Sequence, residues 1–250
     1  MANNNSSWGN VEKAMGRPGT LQPDGVFKFS MPRSDLNVTI GNVSVAPALA
    51  LGSWVAFKNS GNESVAMGDL VLTEGEANVV MQKLQQGGID QTALHNHLLG
   101  ESPKVIYMHI SGHGDPVVMA ATIHDALALT GTPTKAPATA QPGNDSLNTS
   151  MLDAATGVKG KFSGNVYQLG VPRAEIITDE GMEVPPSMGV ATSINFQPLG
   201  NGKAATSGDF VLTGDEVNPV IRALKENGIN VTAVHSHMIG EKPRLFFLHF

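Results

Sequence analysis

Residues 68–109 read GDLVLTEGEANVVMQKLQQGGIDQTALHNHLLGESPKVIYMH, and residues 208–249 read GDFVLTGDEVNPVIRALKENGINVTAVHSHMIGEKPRLFFLH. The two stretches align without a gap at an offset of 140, and 19 of the 42 positions are identical. Chance does not give such agreement over this length, so the chain contains an internal duplication. Self-similarity at a fixed distance indicates one structural unit built twice. We expect the two copies to pack about a pseudo-twofold axis.

The similarity continues outward from these stretches, since residues 52–62 align on residues 191–201 after a shift of one position. The segment 131–150, GTPTKAPATAQPGNDSLNTS, lies between the copies. It is rich in Pro, Thr, Ala and Gly without periodicity, which is typical of an exposed linker. We therefore predict a first copy over residues 8–130, a linker over 131–150, and a second, C-terminally short copy over 151–250.

Each copy shows the pattern of a strand-rich unit with a strand, a helix and a hairpin. A threonine and a glutamate three residues apart, Thr73 with Glu76, fit a capping box at the start of the helix. The resulting fold class is α+β, with two tandem pseudo-symmetric copies. The second copy ends before a helix that would match 115–129, which suggests a truncated chain or a dispensable helix. Hydrophobic periodicity predicts the following elements in the first copy: strands 26–31, 36–40, 48–58, 69–72, 91–98 and 104–111, and helices 73–86 and 115–129.

The composition narrows the function classes. Apolar residues make up 41% and charged residues 15% of the 250 residues, as in a compact globular protein. The absence of cysteine excludes disulfides, thiolate catalysis and Cys-ligated zinc. The formal charge is −6 and no basic stripe is present, which argues against a nucleic-acid partner. No apolar run approaches the roughly 20 residues that span a bilayer.

The hairpin carries the chemistry. Side chains alternate across a strand, so His95 and His97 share a face. If odd positions pair with odd positions in the hairpin, His109 joins them, and the even positions form an apolar face that should be the buried one. The second copy repeats the three histidines at His235, His237 and His249.

Neutral imidazole is a strong ligand for zinc, copper, iron and nickel. Three histidines leave coordination positions open, as catalytic zinc sites require. We therefore predict a divalent transition metal, with zinc expected, bound by His95, His97 and His109 and by their counterparts. Glu101 and Glu241, at the hairpin turns, are candidate catalytic residues, each acting as a fourth ligand or as a general base. The alternative is that the histidines only bond backbone or partner side chains.

Other polar residues have simpler interpretations. Arg33 and Arg173, each after a proline, either hold a carboxylate substrate or join the halves by a salt bridge, and the salt bridge is the more ordinary interpretation. His113 and Asp115 either extend the first histidine set or form a turn in which Asp115 caps the next helix, which we favour. His124 is interpreted as a surface or packing residue.

Several strings resemble a known family. ALALGSW, GDLVLTEGEAN, TALHNHLLGESP and YMHISGHGDP are similar to the first half of the LppY/LpqO-like bacterial proteins, and VPRAEI, VPPSMGVATSINFQP, GDFVLTGDEVNPVI and VHSHMIGEKPRLFFLHF to their second half. The resemblance covers nearly the whole chain and departs from the family only by the missing segment after Phe250. It implies an exported protein, periplasmic or lipoprotein-like, whose leader is absent from this chain, and it implies no established activity. More loosely, the hairpin resembles that of the acetolactate decarboxylase group, in which His95, His97 and His109 would correspond to zinc ligands.

Three hypotheses follow. The leading one is a metal-dependent hydrolase or lyase that acts on a small polar or carboxylate-bearing molecule. The second is a non-catalytic exported module that binds a metal or a ligand. The third is an interaction scaffold in which the histidines are structural. The sequence identifies no specific substrate and no oligomeric state.

Overall fold

A computed structural model describes residues 5–61, 63–135 and 147–250. The predicted linker 131–150 therefore lies partly outside the described residues. The first half contains the following elements: α1 (Asn5–Met15), β1 (Thr20–Leu21), β2 (Phe27–Pro32), β3 (Thr39–Ile40), β4 (Val43–Ser44), α2 (Pro47–Ala50), β5 (Gly52–Ser60), β6 (Glu63–Thr73), α3 (Glu74–Gln86), β7 (Asp90–His95), β8 (Glu101–Ser102), β9 (Val105–Gly114) and α4 (Pro116–Leu127).

The second half repeats this order in most of its length. Its elements are α5 (Thr149–Thr156), β10 (Lys161–Ser163), β11 (Val166–Pro172), β12 (Thr178–Asp179), β13 (Met182–Glu183), a 3-10 turn (Pro186–Met188), β14 (Ala191–Gly200), β15 (Lys203–Thr213), α6 (Gly214–Glu226), β16 (Ala233–His235) and β17 (Leu245–His249).

Two six-stranded antiparallel sheets form the framework, one in each half. Their strand orders are β1-β2-β5-β6-β9-β7 and β10-β11-β14-β15-β17-β16. The two orders are the same once each strand of the first half is matched with its counterpart in the second. The predicted α+β class and the duplication are thus confirmed. In both sheets the strand that ends at the first histidine of the His-x-His motif lies at the edge, next to the strand with the third histidine. The predicted strand 91–98 therefore ends earlier than expected, at His95, and His97 lies just beyond it.

Alternation along the strands sorts the side chains of each sheet into two layers. In β6 the even positions Ala66, Leu70 and Leu72 pack with helices α1, α3 and α4 in one core. The odd positions of the same strand face the other half, where Val65 and Met67 pack with second-half residues. Both faces of the sheet are therefore covered, one by helices and one by the partner half.

Hydrogen bonds as well as apolar contacts join the halves. Gln197 accepts from the backbone N–H of Ala46 at 2.8 Å and donates to the carbonyl of Ser44 at 2.8 Å. At the histidine hairpin, Asn96 donates to the carbonyl of Thr232 at 3.1 Å, and the Thr232 hydroxyl donates to the carbonyl of His97. These contacts fix the position of one sheet against the other.

The main helix of each half begins and ends as its sequence predicts. Thr73 and Glu76 form the capping box, and the Glu76 carboxylate accepts from the Thr73 N–H at 2.8 Å. Thr213 and Glu216 do the same in the second half. The chain leaves the helix through a glycine with positive φ, +75° at Gly88, a conformation that costs residues with a Cβ.

The structure corrects several local predictions. Residues 48–50, predicted as the start of a strand, instead belong to the short helix Pro47–Ala50. Pro47 occupies the first turn of this helix and lacks the N–H that a strand ladder needs. Only Thr39–Ile40 of the segment 36–40 is strand, and β6 begins six residues earlier than expected. Asp115 caps α4 by accepting from the N–H groups of Val117 and Val118, as favoured.

Arg33 and Arg173 bind within their own halves, so the predicted salt bridge between halves is wrong. Arg33 is 1% exposed and donates to Glu76 at 2.8 Å, to Asp35 at 2.8 Å and to the carbonyl of Val71. Arg173 makes the matching contacts with Glu216 and Glu175. Each arginine therefore ties the capping glutamate to the strand that precedes the helix.

No helix in the described ranges is long and apolar enough to cross a membrane.

Replacing Glu76 by Gln should destabilise the protein more than replacing Glu216 by Gln. The first change leaves the buried Arg33 with one carboxylate, and we expect a loss of about 2 kcal/mol. The second affects Glu216, which is 43% exposed, and should cost about 1 kcal/mol or less because solvent screens the pair. Urea denaturation of both variants measures the difference, and equal losses would contradict this account of Arg33.

Candidate metal centre

Each half lines up an aspartate and a histidine in one row across its sheet. In the first half the pairing register places Trp54 opposite Asp69, and Asp69 opposite His109. In the second half the same row reads Ser193, Asp209 and His249. Directly opposed side chains lie about 5 Å apart at Cβ and share a face. The register thus places one carboxylate beside the third histidine of each hairpin.

The odd-with-odd pairing of the hairpin is confirmed. His95 lies opposite Tyr107, and Ala93 lies opposite His109. The apolar even face was expected to be the buried one, and Met108 and Ile110 are indeed covered. The histidine face is covered as well, because the other half packs against it, and His109 is only 6% exposed. Leu94, by contrast, is half exposed at the sheet edge.

All the hairpin histidines meet at one place between the halves, and we call them the histidine cluster. The ring centroids of His95 and His235 are 3.6 Å apart. Two further ring pairs between halves, His97 with His249 and His109 with His237, have centroid distances of 3.8 Å and 3.6 Å. The cluster consists of His95, His97, His109, His235, His237 and His249.

The contacts within the cluster reveal the pseudo-twofold axis. An offset of 140 exchanges His97 with His237 and His109 with His249. It therefore exchanges the His97–His249 contact with the His109–His237 contact, and these two distances agree within 0.2 Å, at 3.8 and 3.6 Å. The contact of His95 with His235 maps onto itself. The axis passes between these two rings, and the predicted pair of separate three-histidine sets is one shared cluster.

Several buried polar atoms of the cluster, and of the two aspartates beside it, have no hydrogen-bond partner in the described residues. They include Nε2 of His95, His97, His109 and His237, together with Oδ1 of Asp69 and Asp209. An unpaired buried polar atom costs about 1–3 kcal/mol. A metal ion held by these side chains could satisfy several of these atoms at once.

The tautomers of two rings suit metal binding. His95 Nδ1 lies 3.3 Å from the carbonyl of Asn96, and His235 Nδ1 lies 3.2 Å from the carbonyl of Ser236. A carbonyl only accepts, so these contacts favour the tautomer with the proton on Nδ1. Nε2 of His95 then has a free lone pair, whereas Nε2 of His235 lies 2.7 Å from Nε2 of His249 and pairs with it. This second contact of a ligating histidine is the usual way in which proteins fix its orientation.

Two groups of side chains place their ligand atoms within 4.8 Å of one another in the described part of the chain. One contains His95, His235, His237 and His249, and the other contains Asp69, His95 and His109. His97 approaches the second group, since its Nε2 lies 3.8 Å from Asp69 Oδ2. The donor set, imidazole nitrogens with a carboxylate, fits zinc and its neighbours in the first transition row.

Burial shifts the pKa of the cluster histidines, and of the two aspartates beside them, in the direction that favours the neutral form. Burial, with the neighbouring histidines, lowers the pKa of His95 to about 3, and it lowers the pKa of His109 well below its usual value. Burial raises the pKa of Asp69 to about 7, opposed by the charge of Lys28, and raises that of Asp209 well above its usual value. Without a metal the cluster therefore consists of neutral imidazoles, the form that coordinates.

The hairpin-turn glutamates, Glu101 and Glu241, stand outside both groups. Glu241 Oε1 accepts from the Leu245 N–H at 3.0 Å, and Oε2 accepts from Arg244 at 3.0 Å. Glu101 lies in β8, opposite Ile40, and is 8% exposed. Both carboxylates are buried in the turns, and their catalytic role stays a prediction.

The remaining sequence candidates lie away from the cluster. His113 is about half exposed and lies 3.3 Å from Glu63. His124 contacts the carbonyl of Met15 through Nδ1 at 3.1 Å.

Sequence reasoning missed Asp69 and Asp209. Each stands in an otherwise apolar strand stretch, GDLVLT and GDFVLT, that is nearly unchanged between the copies. A charged residue repeated within an apolar strand was the available signal.

The histidine cluster with Asp69 and Asp209 is called the centre below. A cavity of about 910 Å³ lies beside it, between the two sheets. Five members of the centre, namely Asp69, His97, His109, Asp209 and His237, contribute to its wall. Small polar side chains of the second half line another part, among them Ser193 and Asn195. This volume is within the range of small-molecule sites in proteins, so a metal at the centre would have room for a ligand.

Fold and site together define an internally duplicated α+β protein with one histidine and aspartate centre between its halves. The chain belongs to the family described as Domain of Unknown Function (DUF1259), which it matches over residues 9–129 and 150–250. The two matched regions correspond to the two halves. No curated protein and no solved structure matches the chain.

The stability of the metal-free protein should fall as the pH is lowered from 7 to 5. The unfolded chain protonates its six cluster histidines near pH 6.5, whereas burial keeps them neutral in the folded state. Asp69 and Asp209 act in the opposite direction, because the folded state binds their protons more tightly. Six groups outweigh two, so unfolding takes up protons and acid favours it.

Urea denaturation in the presence of a chelator, at a series of pH values, measures this dependence. The variant His95→Gln/His235→Gln is the control, and its stability should depend less steeply on pH. A stability that is constant or rises on acidification would contradict the neutral state of the cluster.

Proposed function

We propose that this protein binds a divalent transition metal, zinc in the first place, at one centre that both halves build. The observation that carries the proposal is the convergence of six buried or half-buried imidazoles, four of which have an Nε2 without a hydrogen-bond partner among the described residues. Six histidines rarely stack for structural reasons alone, because each buries a polar ring that must find hydrogen-bond partners. A metal satisfies several of these nitrogens at once.

We further propose that the metal serves chemistry on a small polar molecule in the adjoining cavity, as a hydrolase or lyase. A bound metal of this class supplies Lewis acidity. Two observations support catalysis over storage: the centre borders a cavity, and it includes carboxylates besides histidines. Asp69 and Asp209 lie nearer to the histidines than Glu101 and Glu241 do, which makes the aspartates the stronger candidates for a general base.

The alternative is a non-catalytic module that binds a metal or a ligand. It is favoured by the depth of the centre, since His249 is 1% exposed. Metal-loaded protein with a closed shell of protein ligands by X-ray absorption spectroscopy would favour this alternative. A shell that contains an exchangeable solvent oxygen would favour catalysis.

An exported location, periplasmic or at the cell envelope, also remains part of the proposal. Its support is the similarity of the quoted strings to LppY/LpqO-like proteins. Fractionation of cells that express the full-length gene product tests it.

The metal content of two double variants tests the shared centre. Because the ligands come from both halves, either His95→Ala/His97→Ala or His235→Ala/His237→Ala should remove essentially all of the bound metal. Plasma mass spectrometry of the purified proteins measures it, with His113→Ala/His124→Ala as the control that retains metal. Loss of half of the metal in each double variant would indicate two independent sites and contradict the shared centre.

Replacing Asp69 by Asn should weaken metal binding roughly 10- to 100-fold while the fold remains. Asn has the same shape but lacks the charge that opposes the cation. Competition with a chromophoric chelator measures the affinity, and circular dichroism checks the fold. Unchanged affinity would remove Asp69 from the centre. Asp125→Asn, on the exposed face of α4, is the matched control.

A further inference from the structure

Lys28 places an ammonium group on the wall of the cavity next to the centre. The residue lies on β2, and its Nζ is 4.1 Å from the ring centroid of Trp54 and 2.9 Å from the carbonyl of Ser187 in the other half. Both Lys28 and Trp54 line the cavity that Asp69 and His109 also line. The ammonium therefore lies in the same cavity as the proposed metal ligands.

The duplication supplies a natural comparison for this lysine. The position 140 residues later is Gln168, which also lines the cavity. Gln168 donates from its amide to the carbonyl of Ala48 in the other half at 2.8 Å, as Lys28 donates to Ser187. A neutral amide is thus sufficient for the hydrogen bond between halves. The positive charge of Lys28 needs a different explanation.

The charge is costly where it stands. Burial lowers the pKa of Lys28 to about 8, although Asp24 and Asp69 act to raise it, so the group stays mostly protonated at pH 7. In the described residues no carboxylate lies within ion-pair distance of its Nζ, and the carboxylate of Asp24 accepts from the Ser187 N–H instead. The Trp54 ring offsets part of the cost of desolvating this cation, and a bound anion would offset more of it.

We propose that the cavity binds a small organic carboxylate, whose acidic group pairs with Lys28 Nζ in front of the histidine cluster. This inference rests on the proposed function and names its substrate class. Phosphate sites usually combine arginines or a helix N-terminus with backbone N–H groups. The described cavity wall has one lysine and no arginine, which suits a carboxylate better.

The walls suit the remainder of such a molecule. Trp54 offers an apolar face beside the ammonium, and its counterpart in the second half is the small residue Ser193. The smaller serine leaves more room on the side of the second half, and Asn195 and Ser207 of that half add polar groups to the lining. The two halves therefore line the cavity differently, and the carboxylate is expected beside Lys28.

Isothermal titration calorimetry with acetate, malonate and succinate on the metal-loaded protein tests the proposal, with succinamide as the uncharged control ligand. At least one carboxylate should bind to the wild type, and succinamide should not. Lys28→Gln should weaken that binding at least tenfold, because Gln168 shows that glutamine keeps the hydrogen bond between halves. Lys58→Gln is the matched control, since Lys58 makes the same kind of contact with the carbonyl of Glu183 but lies outside this cavity.

Each result decides the proposal. Equal binding by the wild type and Lys28→Gln, or no binding of any of the three carboxylates by the wild type, would overturn it. An equal loss in Lys58→Gln would show that the halves had shifted, and would also overturn it. Metal content measured on the same samples tests the proposed function separately. If wild-type protein holds no metal but binds a carboxylate through Lys28, the metal function fails and the carboxylate site stands.

Discussion

The contact between the two histidine sets is the constraint on which the rest of this structure depends. Six imidazoles and two aspartates are withdrawn from water where the sheets face each other, and several of their atoms have no partner in the described protein. Burying such groups is unfavourable unless something compensates them. The surrounding apolar cores and the hydrogen bonds between halves hold the arrangement in place. A metal ion would turn the same cluster from a cost into a source of stability, because metal that binds only the folded state stabilises it.

The duplication explains why one centre results instead of two. Each half contributes the same row, a carboxylate on the central strand and a histidine on its neighbour, with two more histidines at the sheet edge. Because the two sheets pack face to face about a pseudo-twofold axis, the two rows meet in one volume between the halves. The two halves differ in the side chains around that volume. Lys28 and Trp54 of the first half correspond to Gln168 and Ser193 of the second, so the cavity is asymmetric although the two sheets are alike.

Different residues stabilise the fold and form the candidate metal centre. Arg33 donates to the β6 carbonyl of Val71 and to Glu76 of α3, and so connects the strand to the helix. Arg173 makes the matching contacts in the second half. The buried turn glutamate Glu241 satisfies the backbone of its own hairpin. Those acidic groups have partners already. In the described part of the chain Oδ1 of Asp69 and of Asp209 has no hydrogen-bond partner, which makes the aspartates better candidates for metal ligands than the capping glutamates.

The sequence by itself determined the duplication, through the identities at a constant offset of 140. It also determined the α+β class, the capping boxes and the shared side of His95, His97 and His109, because these follow from local patterns within single helices, strands and hairpins. It did not determine that the histidine face is buried, since both faces of an alternating strand are compatible with a half-exposed sheet. It also could not show that Asp69 joins His109, which needs the pairing of β6 with β9 across 40 residues of chain. Only the tertiary structure merged the two histidine sets, because the packing of one half on the other is set by the sum of many distant contacts and no local pattern records it.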